Sequence, residues 1–305
     1  MTDPPVALGL DYGGTKIAVA VSDLTGARLG AATIPTMVQS GAESAMDRSL
    51  EAARELLTRV APGRPLAAVG ASTLGIPFDD RVELAPTFPG WSQLPIGRRL
   101  REAFPDIPIR LSTDVKAAAA AELRWGALID CDPGIYLNLG TGLASAIVAG
   151  GTIVNGAHGA SGEIAYNLRR VGDVWLPERD ILEDRVSGQA LARRGSCELG
   201  REVDAAEVFA HSETKAAGLL TEFIRELALH VVNLAIAVDP ARIVVGGGMV
   251  RSWDRIAPGL HRAIHAAVPF PPELRTAQFP FDAPLIGALA LGVEAAGAIG
   301  EAAWA

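Results

Sequence analysis

The chain has 305 residues, 49% of them hydrophobic and 20% charged, a balance that supports two packed cores and excludes a disordered polypeptide. Its formal net charge of −8 argues against a surface built to bind nucleic acid. The start, MTDPP, is not a signal peptide, and the longest apolar stretch, Leu227 to Val238, is broken by His230 and Asn233, so no membrane span and a cytoplasmic location are expected.

Val6 to Leu10 is short and apolar, as a buried strand should be, with Asp11 where that strand ends. Gly13-Gly14 is a turn signal, Thr15 and Lys16 follow it, and Ile17 to Val21 reads as a second strand. This is neither a P-loop nor a G-x-G-x-x-G fingerprint. It still offers phosphate chemistry: glycines admit close backbone N–H groups, Thr15 can donate, and Asp11 can hold a hydrated metal ion. A third strand, Ala27 to Ile34, follows Gly26.

Gly41 to Val60 is helical by pattern and Leu66 to Ser72 is a further buried strand. Thr73 to Trp91 is long and punctuated by Gly and Pro, the mark of a functional or loosely held loop, with Gly75-Ile76-Pro77 and Pro89-Gly90-Trp91 as ordered points. Ile96 to Phe104 is a short helix and Ile107 to Leu111 a strand. Ser112-Thr113-Asp114 then leads into VKAAAAAELRWGA, a strong helix former. Asp114 reads equally as an N-cap and as a base at a sheet's carboxyl edge, and the two are compatible.

Leu137 to Val148, LNLGTGLASAIV, matches LDYGGTKIAVAV from Leu10 without a gap: Asp11 falls on Asn138, Gly13 on Gly140, and Gly14-Thr15 on Thr141-Gly142. Each copy is followed by another strand-like segment across a turn. One strand–turn–strand unit used twice predicts two related halves, with a nucleotide's phosphates between the two turns. Gly156 to Glu163 is a small-residue loop carrying Glu163, and its His158 reads as a surface residue. Leu176 to Leu191 is irregular and then helical, and contains Glu183. Asp204 to Val208 starts a short helix and Glu213 to Val238 a long one. The strand Ala241 to Val245 runs into Gly246-Gly247-Gly248, which permits close approach of an adenine or ribose, and then into the helix Ser252 to Ala266. Leu285 to Ile299 is a closely packed terminal helix rich in Ala and Gly.

In their order and spacing, DYGGTK (Asp11 to Lys16), GIP (Gly75 to Pro77), FPGW (Phe88 to Trp91), TDVKAAAAAE (Thr113 to Glu122), NLGTGLA (Asn138 to Ala144), GAHGASGEI (Gly156 to Ile164), LEDRVSGQAL (Leu182 to Leu191) and IVVGGG (Ile243 to Gly248) resemble the ROK family of sugar kinases. The resemblance covers almost the whole chain. It implies a two-domain α/β fold of the actin/hexokinase-like, ribonuclease-H-like duplicated type with an interdomain cleft. The expected division is residues 1–114, completed by the helix 285–305, and residues 115–284. It also implies ATP and Mg²⁺, with Asp11, Gly13, Gly14, Thr15 and Lys16 meeting phosphates and metal, Asp11 through water. Gly140, Thr141 and Gly142 would form the second phosphate loop, and Gly247 and Gly248 would lie by the adenosine. Asp114 would be the general base that takes a proton from a sugar hydroxyl, and Glu163 and Glu183 would hold other hydroxyls.

The sugar pocket departs from the family pattern. Tyr166 stands where the family has His, Thr113 and Thr87 stand where it has Asn, and Asn167 to Leu182 lacks the cysteines of its zinc loop. Cys131 and Cys197 lie elsewhere and read as ordinary thiols, while His261 and His265 share a helical face. A zinc-free member is therefore expected, with Val174, Trp175 and Leu176 packing that segment down by burial. The expected partner is a hexose or hexose-like polyol, glucose not being strongly favoured, with no nucleic acid and no membrane; a homodimer is left open. The alternative is a non-catalytic sugar- or nucleotide-binding regulatory protein. A repressor would carry an N-terminal DNA-binding segment, for which the early hairpin leaves no room, and Asp114 argues for catalysis.

Overall fold

Strand β1 (Val6–Tyr12) is buried along almost its whole length, because its sheet is covered on both faces. It runs antiparallel to β2 (Lys16–Asp23), which pairs antiparallel with β3 (Arg28–Pro35). The computed structural model describes residues 3–85, 88–176, 178–210 and 216–302. The chain divides into two compact units, Met1–Arg124 with Asp282–Ala305, and Trp125–Phe281. In the first, helix α1 (Ala42–Val60) places Met46, Leu50 and Leu56 in the core, and β4 (Leu66–Thr73) returns parallel to β1.

The long loop after β4 contains a small hairpin, β5 (Ile76–Pro77) and β6 (Val82–Glu83). Gly75 precedes it at φ 78°, where an added Cβ would stand 2.5 Å from the Glu83 carbonyl. Further on, Trp91 is fully buried, stacks on Phe88 with ring centroids 4.7 Å apart, and donates from Nε1 to Thr73 Oγ1 at 2.9 Å. Phe88 and Trp91 therefore tie the far end of the loop to the last residue of β4. Helix α2 (Ile96–Ala103) follows, then β7 (Ile109–Thr113), parallel to β4, and α3 (Asp114–Trp125). Strand β7 starts and ends two residues later than the sequence suggests, because Ser112 and Thr113 pair with Ser72 and Thr73. The first sheet has the order β3-β2-β1-β4-β7.

The second unit repeats this plan. Strands β8 (Gly134–Leu139), β9 (Leu143–Ala149) and β10 (Thr152–Ile153) form an antiparallel meander. Helices α4 (Gly188–Leu199), α5 (Ala205–Ala210) and α6 (Ala216–Val238) precede β11 (Arg242–Gly246), which lies parallel to β8. The predicted start of α6 at Glu213 lies outside the described residues. After α7 (Trp253–Ala267) comes β12 (Glu273–Thr276), giving the order β10-β9-β8-β11-β12. The two hairpins matched in sequence thus hold equivalent places in two sheets of the same strand order. Sequence pattern missed β12, a short edge strand whose Glu273 and Arg275 are exposed and which is held by its pairing with β11 and an Arg242–Glu273 ion pair.

The terminal helix α8 (Ala283–Ala302) packs on β1 and β4 of the first unit. Glycines make the close approach possible: a Cβ at Gly70 would collide with the Ala288 carbonyl, and one at Gly287 with the Ala117 carbonyl. Among the described residues no helix is long and apolar enough to cross a membrane.

Candidate active site

In the first unit, the parallel strands β1, β4 and β7 end side by side, Asp11 opposite Ser72 and Thr73 opposite Thr113. Ligand sites of open α/β sheets gather at such carboxyl ends. The turn after β1 is closed by a Gly13 N–H bond to the Lys16 carbonyl and by the Thr36 hydroxyl, which donates to the Gly13 carbonyl at 2.7 Å. A side chain at Gly13 would crowd the Lys16 carbonyl at 2.8 Å, while Gly14, Thr15 and Lys16 are exposed to an incoming ligand.

Ser72 Oγ donates to Asp11 Oδ1 at 2.7 Å. Asp11 retains some solvent contact, yet the protein packed around it pushes its pKa up to about 7; the nearby charges of Asp114 and Asp282 push the same way, against Ser72 and Lys16. Asp114 and Asp282 are thus near enough for their charges to act on Asp11, but the three carboxylates do not form a direct metal-binding group. Ser72 and Asp282 carry no motif, and the sequence reading missed both. A lone Ser at a strand end and a lone Asp before a helix are common everywhere; only the sheet register and the placement of α8 bring them to Asp11.

Asp114 is not the N-cap of α3. The helix begins at Asp114, and Thr113, still in β7, caps it by accepting from the Lys116 N–H at 3.2 Å. Asp114 Oδ1 accepts instead from the adjacent Val115 N–H at 2.8 Å, which fixes the carboxylate at the helix start. Thr113 itself is buried. Thr87 lies outside the described residues.

In the second unit, the turn Gly140–Gly142 closes with a Gly140 N–H bond to the Gly142 carbonyl, and Gly247 packs against Asn138 and Leu139 at φ 89°. A Cβ on Gly247 would collide with the Leu139 carbonyl, so glycine is required there, whereas Gly248 has open space around it. The loop bearing Glu163 is pinned to β9: Ser145 donates from both N–H and Oγ to the Gly162 carbonyl, at 2.8 and 2.9 Å. Tyr166 is 39% exposed, and its hydroxyl pKa is raised by burial and by the charges of Glu163 and Glu183. The structure therefore brings Glu163, Tyr166 and Glu183 into one neighbourhood. His158 is exposed, as are the stacked rings of His261 and His265.

The segment after Tyr166 is not held by its apolar residues. Val174 and Leu176 are about half exposed and Trp175 is 83% exposed, contrary to the burial expected of them. Polar bonds to α6 hold it instead: Arg169, nearly buried, pairs with Glu226, and Asn167 Nδ2 lies 3.3 Å from His230 Nδ1. A Val171–Trp175 turn of 3-10 helix, closed by Asp173 on the Arg170 N–H, keeps the apolar side chains outward. Among the described residues no group of three or more His, Cys, Asp or Glu could hold a metal ion; Cys131 is buried and Cys197 exposed.

Residues 7–295 match the ROK family model. The kanosamine kinase of Amycolatopsis mediterranei is 30% identical over 265 residues, 84% of each chain. A ROK hexokinase from Thermus thermophilus superposes with a TM-score of 0.79 at 30% identity, covering 94% of this chain and 97% of that one. A ROK family glucokinase from Streptomyces griseus, crystallised with glucose and AMPPNP, superposes at 0.75 with 25% identity, covering 95% and 99%. The two sheets of common strand order, their paired glycine turns and a match over nearly the full length have one explanation: the chain belongs to the ROK family and has its hexokinase-like fold.

Proposed function

We propose that this protein is a carbohydrate kinase that transfers the γ-phosphoryl group of ATP to a hydroxyl of a hexose or hexose-like polyol. The observation that carries the reading is the placement of Asp114 beside Asp11 at the carboxyl ends of β7 and β1. A binding protein needs no base next to its phosphate turn; a kinase does.

Asp114 accepts the proton of the attacking hydroxyl as its oxygen bonds to the γ-phosphorus and the bond to the leaving ADP breaks. The Val115 N–H holds the carboxylate in place for this. With the Gly13 and Gly140 N–H groups used to close the two turns, Gly14 and Thr15 in the first and Thr141 and Gly142 in the second offer backbone N–H groups to phosphate oxygens, beside the Thr15 and Thr141 hydroxyls and the Lys16 ammonium. Asp11 would hold Mg²⁺ through water, and bound Mg²⁺ supplies charge neutralisation on the phosphates. Glu163 and Glu183 accept from sugar hydroxyls, and the Tyr166 hydroxyl offers a donor where an imidazole is usual. Gly247 packs the turn tightly on Leu139, and Gly248, with open space around it, leaves room for the adenosine.

A coupled ADP-release assay over glucose, mannose, kanosamine, N-acetylmannosamine and cyclitols tests the reading. Turnover of at least one acceptor, lowered about a hundredfold or more in Asp114→Asn, is expected. Nucleotide and sugar binding without turnover across the panel would favour the non-catalytic alternative.

A further inference from the structure

Glu183 does more than its place in the sugar pocket requires. It sits in the 3-10 turn Leu182–Asp184, and its Oε2 accepts from the Leu143 N–H at 2.7 Å. Leu143 is the first residue of β9, directly after the Gly140–Gly142 turn. The carboxylate lies so close to this turn that a Cβ on Gly142 would stand 2.5 Å from Oε2. The segment just after Glu183 grips the same turn from its other side: the Gly188 N–H donates to the Gly140 carbonyl at 2.8 Å and the Gln189 N–H to the Thr141 carbonyl at 3.2 Å. Gly188 is itself confined, since a Cβ there would stand 2.6 Å from the Gly140 carbonyl.

We infer that Glu183 is a positioning residue for the phosphate turn as well as a sugar ligand, so that the sugar pocket and the nucleotide turn of the second unit share one carboxylate. The inference rests on the kinase reading for the identity of the two ligands, but its geometry does not. One oxygen braces the turn at Leu143, and a hydroxyl bound to the same carboxylate fixes it further. The turn is therefore better ordered for phosphate when the sugar is present, and by linkage the nucleotide tightens the sugar. Glycine at 142 is required by this arrangement, because any side chain would displace Glu183.

Three variants separate the roles. Glu183→Gln keeps an acceptor oxygen for the Leu143 N–H and loses the carboxylate; Glu183→Ala loses both; Glu183→Asp keeps the charge but withdraws it from Leu143. Amide exchange over residues 140–143 reads the brace, and calorimetric titration with Mg·AMPPNP reads its effect. Exchange is expected to accelerate in the Ala and Asp variants, with nucleotide affinity falling about tenfold, as for loss of a charge-assisted hydrogen bond. Glu183→Gln should keep both near wild type and raise KM only for the best acceptor of the panel. Unchanged exchange or unchanged nucleotide affinity in both Ala and Asp variants would overturn the inference. A wild-type chain that binds no Mg·AMPPNP would instead overturn the kinase reading, while exchange at Leu143 would still judge the brace.

Discussion

The Ser72 hydroxyl donates to Asp11 Oδ1 across the β1–β4 pair, in which the two residues stand in register. A second, longer contact of 3.3 Å runs from the same hydroxyl to the Pro284 carbonyl in the first turn of α8. Ser72 therefore fixes the rotamer of the proposed Mg²⁺-holding carboxylate and favours its ionised form. Ser72→Ala should leave the fold intact and raise the Mg²⁺ concentration for half-maximal activity about tenfold, the loss of one hydrogen bond to a charged group. An unchanged Mg²⁺ titration would remove Ser72 from the site.

Asp114→Asn keeps the acceptor for the Val115 N–H and the size of the side chain but removes basicity. Turnover should fall by about two orders of magnitude or more. Because Thr113 supplies the cap of α3, the melting temperature should hardly move; a large fall would mean that Asp114 is mainly structural.

Thr113→Val makes the complementary change. It preserves shape in a buried position and deletes the oxygen that accepts from the Lys116 N–H. A loss of about 1 kcal/mol in denaturant unfolding is expected, as for other N-cap deletions.

His230 makes the segment after Tyr166 sensitive to acid. Its pKa is lowered from 6.5, mainly by burial, with Arg169 acting the same way and Glu226 opposing. The neutral ring is the form that accepts from Asn167 at Nδ1. The unfolded chain takes up the proton first, so the stability from the neutral ring is full above about pH 6.5 and is lost as pH falls from there towards the lower folded value. Protection factors over residues 167–176, with the intrinsic pH dependence of amide exchange divided out, should therefore fall between pH 7.5 and 5.5. His230→Leu should remove that pH dependence; if the fall persists, another group is responsible.

Gly287→Ala tests the packing of α8. The new methyl would run into the Ala117 carbonyl, a backbone atom that cannot swing aside. Thermal unfolding should show a loss of about 3 kcal/mol or more, at the upper end of overpacking costs. Gly297→Ala, which meets open space, is the control and should be neutral or slightly stabilising.

Local pattern determined much of this protein. Apolar runs bounded by glycines marked β1, β2, β8, β9 and β11, and the gapless match of LDYGGTKIAVAV with LNLGTGLASAIV announced two sheets of one plan. These signals are legible because buried strands and tight turns are chosen by residues adjacent in the chain. Asp114 and Glu163 could be singled out for the same reason, one at a strand end and the other in a glycine-rich loop, whereas Glu183, in an irregular segment, was marked only by the family resemblance. The bonds those carboxylates make were decided only in three dimensions. Nothing near Ser72 in sequence points to Asp11, and nothing near Glu183 points to Leu143; parallel pairing and the fold of the second unit bring them together. The segment 167–176 shows the same limit in reverse: Val174, Trp175 and Leu176 have the composition of a core, yet Arg169 and Asn167 hold it to α6 and the apolar side chains lie outside. Hydrophobicity states what burial would gain, but whether a residue is buried depends on which face the long-range contacts leave uncovered.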